Sequence, residues 1–271
     1  MSPVPPDGGG AFASPPPPYY RPVSDECTVF EHAYRQKLPL LLKGPTGSGK
    51  SRFVEAMAHR LGRPLVTVAC HDETSAVDLL GRYLVRGGDT IWQDGPVARA
   101  VRAGAILYLD EIAEARPDVI VVIHPLTDHR RVLVIDHHDE VLPAGDGFML
   151  VVSFNPGYQR GLKELKPSTR QRFVALSFDY PAPEVESEII VGESGVDGKT
   201  SRKLAALAAS LRKLDHLGLA EVPSTRLLVD AAKLIASGMP ARRACEVAVV
   251  QPLSDDAEVV TALVEAVALA F

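Results

Sequence analysis

The chain has 271 residues, of which 46% are hydrophobic and 23% charged, the composition of an ordinary globular protein. Its formal net charge of −5, without a long Lys or Arg run, argues against nucleic acid or an anionic membrane as a partner. No apolar stretch reaches the ~20 residues of a membrane span, no secretory signal is present and the three cysteines lie far apart, so we expect a cytoplasmic protein without disulfides or a zinc site.

Residues 1–18 are rich in proline and glycine, which predicts a flexible tail that buries no core. Residues 19–181 alternate short apolar runs with stretches of helical periodicity at 51–61 and 96–103. This alternation is typical of a parallel sheet with helices on both faces, so we expect an α/β domain with five parallel strands. The runs that predict the strands are residues 38–43, 64–70, 105–110, 148–154 and 174–180.

Two further patterns complete the predicted organisation. In RRVLVIDHHDEVLPA, residues 130–144, two apolar pieces flank a polar DHHD turn, which predicts a hairpin. The two histidines suggest a metal site, but adjacent imidazoles point apart, so a solvent-exposed turn is the better interpretation. From residue 182 to 271 the strand-like runs stop and apolar residues recur at helical spacing, which predicts a helical C-terminal domain.

GPTGSGKS, residues 44–51, has the spacing of a phosphate-binding loop, with an apolar strand before it and a helix after it. Glycines let successive N–H groups face an anion, and the start of the helix adds partial positive charge. Lys50 would reach the β- and γ-phosphates, and Ser51 would supply a hydroxyl to Mg²⁺. The flanking strand and helix disfavour a glycine-rich turn that binds nothing. The predicted nucleotide-binding residues are Gly44, Pro45, Thr46, Gly47, Ser48, Gly49, Lys50 and Ser51.

The apolar run AILYLDE ends in two carboxylates, Asp110 and Glu111. The carboxyl ends of parallel strands meet at one edge of the sheet, where the phosphate loop also lies. We therefore expect Asp110 to hold the magnesium shell, through water, and Glu111 to polarise the water that attacks the γ-phosphate. An acidic surface pair that caps the next helix is the alternative. Together with the loop, the pair predicts hydrolysis of a nucleoside triphosphate.

Four more polar residues are candidates for catalysis. Asn155 ends the strand in VVSFNPG and would bridge the attacking water and the γ-phosphate, unless it is a turn asparagine before proline. Arg170 and Arg172, in KPSTRQRF, could stabilise a transferring phosphoryl group, also from a neighbouring subunit, or form surface salt bridges. Arg226 begins a helix of the C-terminal domain and could contact the γ-phosphate or lie on the helix surface.

With these pieces in this order, the chain resembles an AAA+ ATPase of the MoxR group, in the CbbQ/NorQ/GvpN branch. The resemblance covers most of the chain, and its most specific segments are RPLVTVACHDETSAVDLLGRYL, WQDGPVARAVRAGAILYLDE, VVIHPLTDHRRVLVI and NPGYQRGLKELKPSTRQRFVA. It implies ATP and Mg²⁺ as cofactors, a homo-hexameric ring with ATP between subunits and a C-terminal lid. The implied roles are Walker A at 44–51, Walker B at Asp110 and Glu111, sensor 1 at Asn155, arginine fingers at Arg172 and Arg170, and sensor 2 at Arg226.

Two other segments gain an expectation from the resemblance. PYYRPVSDE would lie near the adenine. Residues 79–96 fall where the group carries an insertion in its second helix, and the turn signal GGD predicts a hairpin there. A hairpin aimed into a ring pore could press on a client through Tyr83, Leu84 and Trp92. Packing of Trp92 beneath the loop is the alternative.

Similarity to CbbQ in particular implies a motor that acts with a CbbO-like adaptor, a von Willebrand factor A-domain protein, and releases inhibitory sugar phosphates from Rubisco. The same motor could instead serve nitric oxide reductase maturation, as for NorQ, gas-vesicle assembly, as for GvpN, or a metal chelatase. The acidic balance disfavours a nucleic-acid motor. The intact Lys50, Asp110, Glu111 and Asn155 disfavour a nucleotide switch without hydrolysis.

Overall fold

The computed structural model describes residues 17–156, 165–214 and 221–271. The predicted tail lies outside this part of the chain up to residue 16, as do residues 157–164 of the last quoted segment. No helix in the three described ranges is long and apolar enough to cross a membrane. The elements before residue 181 are α1 (Glu26–Arg35), β1 (Leu40–Lys43), α2 (Lys50–Arg60), β2 (Leu65–Ala69), α3 (Ala76–Leu80), β3 (Gly81–Arg86), β4 (Asp89–Asp94), α4 (Pro96–Ala103), β5 (Ile106–Asp110), α5 (Pro117–Ile123), β6 (Val132–Ile135), β7 (Glu140–Pro143), β8 (Met149–Phe154), α6 (Pro167–Arg170) and β9 (Val174–Ser177). The later elements are α7 (Pro183–Ser194), α8 (Gly198–Leu211), α9 (Thr225–Ala236), α10 (Ala241–Cys245), a π-helical segment (Glu246–Val250), α11 (Gln251–Leu253) and α12 (Ala257–Ala270).

A five-stranded parallel sheet with the strand order β2–β5–β8–β1–β9 confirms the sheet predicted from the five apolar runs. Every residue of β8 is buried, which explains why its sequence MLVVSF is continuously apolar up to Ser153 instead of alternating. The predicted last strand is three residues too long. β9 ends at Ser177, opposite Lys43, because β1 offers no further partner beyond that pair. The carboxyl ends of β1, β5 and β8 therefore meet at one edge.

Helices cover both faces of this sheet. On one face, α1 and α2 pack Phe30 and Phe53 in a core with Tyr108 of β5. On the other face, α4 packs Val97 in a core with Leu107, the neighbouring residue of the same strand. A separate core lies among the helices after residue 181 and includes α7, α8, α9 and α12. The α/β part and the C-terminal helices thus each bury an apolar core of their own.

Two hairpins extend from the α/β part. β3 and β4 pair antiparallel and turn at Gly87 and Gly88, with φ of 62° and 95°, while β6 and β7 pair on either side of the DHHD turn. The hairpins meet where the indole of Trp92 stacks on the imidazole of His138, with centroids 4.6 Å apart and planes at 4°. The turn is exposed at Asp136, His137 and Asp139, as predicted, whereas His138 is partly buried because Trp92 covers one face of its ring. The described residues contain no cluster of metal-ligating side chains.

The position of Leu107 in the central layer can be tested by truncation. Its side chain is 0% exposed, so Leu107→Ala should lower the free energy of unfolding by about 2–5 kcal/mol through lost burial and the cavity left behind. Val85→Ala is the matched control, because Val85 is 76% exposed and its truncation should change that free energy by less than about 0.5 kcal/mol. Urea unfolding followed by circular dichroism measures both. Equal effects would contradict the packing.

Candidate active site

The loop after β1 has a backbone that only glycine adopts easily. Gly44, Gly47 and Gly49 have φ of 154°, 71° and 93°, and Gly49 is the residue before the first turn of α2. A Cβ on Gly44 would collide with the carbonyl oxygen of Phe178 in the chain after β9. The glycine spacing of the motif therefore serves both backbone conformation and close packing. It leaves the loop and the N-terminus of α2 facing a common cavity.

Lys50 lies at the centre of the site, with its ammonium group buried. Its Nζ donates hydrogen bonds to the carbonyl oxygens of Gly44 and Pro45, both at 2.8 Å. A third bond goes to Asn155 Oδ1 at 2.9 Å. Burial lowers the pKa of Lys50 to about 8, although the negative charges of Asp110 and Glu111 act in the opposite direction. A bound phosphate would supply the compensating anion that this lysine lacks.

Asp110 is held by three hydroxyl groups at the end of β5. Ser51 Oγ donates to Asp110 Oδ2 at 3.1 Å, and Tyr108 Oη donates to Oδ1 at 2.7 Å. Ser153 Oγ also donates to Oδ1. A serine hydroxyl beside a carboxylate is a set of hard oxygen ligands that suits Mg²⁺, so Ser51 and Asp110 fit the predicted metal. Sequence reasoning missed Tyr108 and Ser153, whose only signal is a hydroxyl within an otherwise apolar strand.

Glu111 adopts a left-handed backbone conformation, with φ of 55°, that is fixed by Ser153. The Glu111 N–H donates to Ser153 Oγ at 2.9 Å, so one hydroxyl links both acidic residues. Asn155 Nδ2 donates to Glu111 Oε1 at 3.4 Å and to Thr46 Oγ1 at 3.0 Å. Burial, and then repulsion from Asp110, raise the pKa of Glu111, which makes it a better proton acceptor. Lys50, Asp110, Glu111 and Asn155 therefore lie together.

A cleft of about 760 Å³ runs from Lys50, Asp110 and Glu111 to the C-terminal helices and the N-terminal segment. Arg226, in the first turn of α9, lines it, and the positive charge of Arg226 contributes to lowering the pKa of Lys50. Tyr19 and Tyr20 line the cleft at its far side. The Tyr20 ring packs on Phe53 of α2, with centroids 5.3 Å apart. The segment PYYRPVSDE thus forms one wall of the cleft.

The remaining predicted residues lie away from this cleft. Arg170 and Arg172 are exposed, and neither is among the described residues that line it. Arg172 Nη1 instead lies 3.8 Å from Asp128 Oδ2.

The candidate client-contacting residues Tyr83, Leu84 and Trp92 occupy different faces of the β3–β4 hairpin. Tyr83 is 50% exposed and packs edge-on against Trp92, with centroids 5.0 Å apart, and its Oη lies 3.1 Å from His138 Nδ1. Leu84 pairs with Ile91 and is half-buried. Trp92 stacks on His138 and donates through Nε1 to Asp94 at 2.7 Å. Trp92 is therefore packed between the two hairpins, which is the alternative that the sequence left open.

Comparison with known proteins identifies the family to which this site belongs. The family described as "AAA domain (dynein-related subfamily)" matches residues 39–173, and "CbbQ/NirQ/NorQ C-terminal" matches residues 186–270. The protein NorQ of Paracoccus denitrificans is 60% identical over 241 residues, which cover 89% of each chain.

The chain belongs to the CbbQ/NirQ/NorQ family of AAA+ ATPases. The denitrification regulatory protein NirQ of Pseudomonas aeruginosa is 57% identical over 93% of this chain and 96% of its own. The protein CbbQ of Hydrogenophilus thermoluteolus is 56% identical over 90% and 92%. These three relatives are about equally similar, so family membership does not single out one of them.

Solved structures share the fold at low identity. RuvB of Thermotoga maritima has a TM-score of 0.54 with 17% identity, covering 90% of this chain and 68% of its own. NtrX of Brucella abortus, solved in complex with ADP, has a TM-score of 0.53 with 14% identity, covering 88% and 52%. The AAA+ fold, a nucleotide-binding cleft and ATP hydrolase activity follow from the family and its fold.

Removing the shared hydroxyl tests whether Ser153 positions the two acidic residues. Ser153 is 0% exposed, and Ser153→Ala would leave the Glu111 N–H without its partner. We expect kcat of ATP hydrolysis to fall about tenfold to a hundredfold with KM almost unchanged, because Glu111 loses its orientation while the phosphate loop stays intact. Ser210→Ala, at an exposed helical serine, is the control. An unchanged kcat would show that Ser153 does not position Glu111.

Proposed function

We propose that the protein is an ATP-driven remodelling motor that assembles as a homo-hexameric ring in the cytoplasm and acts on a protein client. The observation that carries the proposal is the convergence of Lys50, Asp110, Glu111 and Asn155 within one hydrogen-bonded group at the end of three strands. Membership of the CbbQ/NirQ/NorQ family supports it. The net charge of −5 supports the absence of a nucleic-acid or membrane partner.

Each residue of the group has a part in hydrolysis under this proposal. The loop N–H groups and Lys50 bind the β- and γ-phosphates, which replace the carbonyl partners of Lys50 Nζ. Ser51 would hold Mg²⁺ directly and Asp110 through water, and the metal would neutralise charge on the phosphates. Glu111 accepts a proton from the attacking water, which Asn155 orients towards the γ-phosphorus. Arg226 contacts the γ-phosphate from α9 and so distinguishes ATP from ADP.

Glu111→Gln separates binding from hydrolysis. The amide keeps the shape of the side chain but cannot accept the proton, so kcat should fall about 10²–10⁴-fold while the affinity for ATP stays within a few-fold. Glu265→Gln, at an exposed position of α12, is the matched control and should leave both unchanged. Steady-state hydrolysis and equilibrium nucleotide binding measure the two quantities. Hydrolysis at the wild-type rate in Glu111→Gln would remove this residue from its role.

Arg172, with Arg170 as the second candidate, acts on the nucleotide of the neighbouring subunit in this proposal. The support is its exposure and its position outside the cleft of its own subunit. Arg172→Ala should lower kcat about 10³-fold or more without weakening nucleotide binding. Rings that mix Arg172→Ala subunits with Lys50→Met subunits should regain hydrolysis. Lys50→Met subunits do not bind nucleotide but carry Arg172, so at some subunit interfaces an intact cleft meets an intact arginine. Mixed rings that stay inactive would contradict action between subunits.

Two clients fit the proposal. Similarity to CbbQ favours Rubisco, from which the ring would release inhibitory sugar phosphates with a CbbO-like von Willebrand factor A-domain adaptor. Similarity to NorQ and NirQ favours the alternative, nitric oxide reductase maturation. Tyr83 and Leu84 of the β3–β4 hairpin remain the proposed client contacts, since Tyr83 is half exposed.

The two candidate clients can be distinguished by measuring which activity the ring and its adaptor restore. The purified ring and its co-expressed adaptor are added to sugar-phosphate-inhibited Rubisco, and in parallel both are co-expressed with nitric oxide reductase. ATP-dependent recovery of carboxylation that is lost in Glu111→Gln would establish Rubisco as the client. Recovery of nitric oxide reduction alone would establish the alternative. Hydrolysis with neither recovery would contradict both clients while leaving the ATPase intact.

A further inference from the structure

Arg212, just after α8, forms a buried ion pair away from the residues assigned to hydrolysis. Its Nη1 and Nη2 donate to the two carboxylate oxygens of Glu186, at 2.9 Å and 2.7 Å. The two side chains are 14% and 0% exposed. A buried ion pair is weak as a source of stability, because desolvation offsets much of the attraction, but its fixed fork geometry is well suited to positioning. The pair therefore raises the question of what it holds in place.

The pair holds the start of α9 on both sides of Ser224. Arg212 Nε donates to the carbonyl oxygen of Pro223 at 2.9 Å. Thr225 Oγ1 donates to Glu186 Oε1 at 2.6 Å. The residue that follows Thr225 is Arg226, which lines the cleft. The ion pair thus fixes the backbone from which Arg226 extends.

The same guanidinium also contacts the phosphate-binding side of the cleft. Its central carbon lies 4.1 Å from the ring centroid of Tyr180, and Tyr180 Oη donates to the carbonyl oxygen of Thr46 at 3.0 Å. Thr46 belongs to the phosphate loop, and its hydroxyl accepts from Asn155. Tyr180 is free to reach the loop because β9 ends at Ser177. One continuous set of contacts thus joins the loop to α9.

A second contact joins the same two elements directly. A Cβ on Gly47, the next residue of the loop, would collide with the side chain of Ser224. The loop and the start of α9 therefore pack closely, with no room for a side chain at position 47. We call the whole set the lid junction, which consists of Thr46, Gly47, Tyr180, Glu186, Arg212, Pro223, Ser224 and Thr225.

We propose that Tyr180 and Arg212 are positioning residues that fix Arg226 relative to the phosphate loop and so set the preference of the cleft for a triphosphate over a diphosphate. The proposal rests on the γ-phosphate contact assigned to Arg226 above. The γ-phosphate is the only group that differs between the two nucleotides, and under the proposed function it would lie between the loop and α9. A lid junction that loosens should therefore weaken ATP binding and leave ADP binding almost unchanged.

Tyr180→Phe is the mildest test, because it keeps the ring against Arg212 and removes only the hydrogen bond to Thr46. We expect the ratio of the ADP and ATPγS dissociation constants to fall about threefold to tenfold, with ADP affinity within twofold of wild type. Arg212→Lys keeps the positive charge but loses the paired hydrogen bonds to Glu186 and the contact with the Tyr180 ring. It should therefore lower the ratio of the two dissociation constants more than Tyr180→Phe does. Arg243→Ala, at an exposed arginine that forms an ion pair with Glu246, should change neither constant.

A double-mutant cycle with Arg226→Ala shows whether the effect passes through Arg226. In the wild-type background, Tyr180→Phe should lower the preference for ATPγS over ADP. In the Arg226→Ala background, the same change should alter this preference by less than about 1.5-fold, because the side chain that Tyr180 helps to position is already absent. A general loss of structure would lower the affinities of both nucleotides and the thermal midpoint. Such a general loss would overturn the proposal. It would also be overturned if Tyr180→Phe left the preference for ATPγS unchanged, or if Tyr180→Phe had equal effects with and without Arg226. Glu111→Gln tests the proposed hydrolytic function separately. The hydrolytic function and the positioning role of Tyr180 and Arg212 can therefore fail independently.

Discussion

The burial of the Lys50 ammonium group is the constraint on which the rest of the site depends. Its three hydrogen-bond acceptors come from the phosphate loop and from the end of β8, so the bonds draw two separate strand ends together. The acceptors are two carbonyls and an amide, and the nearby carboxylates do not fully offset the loss of solvation, because the pKa of Lys50 remains lowered. A positive charge held in this way is prepared for an anion that the cleft can admit.

Three parts of the structure surround Lys50: the strand ends, the glycine loop and the C-terminal helices. The strand ends supply rigid acidic and amide groups, whose orientation depends on the shared hydroxyl of Ser153. The glycine loop supplies backbone donors and close contact with α9. The C-terminal helices supply Arg226, which the lid junction ties back to the loop. Under the proposed function, phosphate binding, water activation and the position of the lid would therefore be connected through these hydrogen bonds and direct packing.

The sequence predicted those features of the structure for which a residue pattern has a single physical cause. Continuous apolar runs predicted the parallel sheet, because strands covered on both faces need no alternation. Glycines with a following lysine predicted the loop, since few backbones present so many donors to an anion. Convergence of Asp110, Glu111 and Asn155 followed from the common edge of parallel strands.

Other features depend on partners that are distant in sequence. Ser153 and Tyr108 read as strand residues, and only the register of β5 and β8 brings their hydroxyls to Asp110. Glu186 in α7 and Arg212 just after α8 lie 26 positions apart, and the periodicity does not determine how these two helices pack. The stacking of Trp92 on His138 joins two hairpins, and neither turn signal indicates that the hairpins meet.

The most direct test of this account is the stability of Lys50→Met with and without ATP and Mg²⁺. Methionine relieves the burial of the ammonium group but leaves the acceptors at Gly44, Pro45 and Asn155 without their donor, so each protein is compared with its own nucleotide-free state. The same change should remove the stabilisation that ATP confers on the wild type. Equal stabilisation of both proteins by ATP would contradict the account, because it would show that Lys50 does not bind the phosphate.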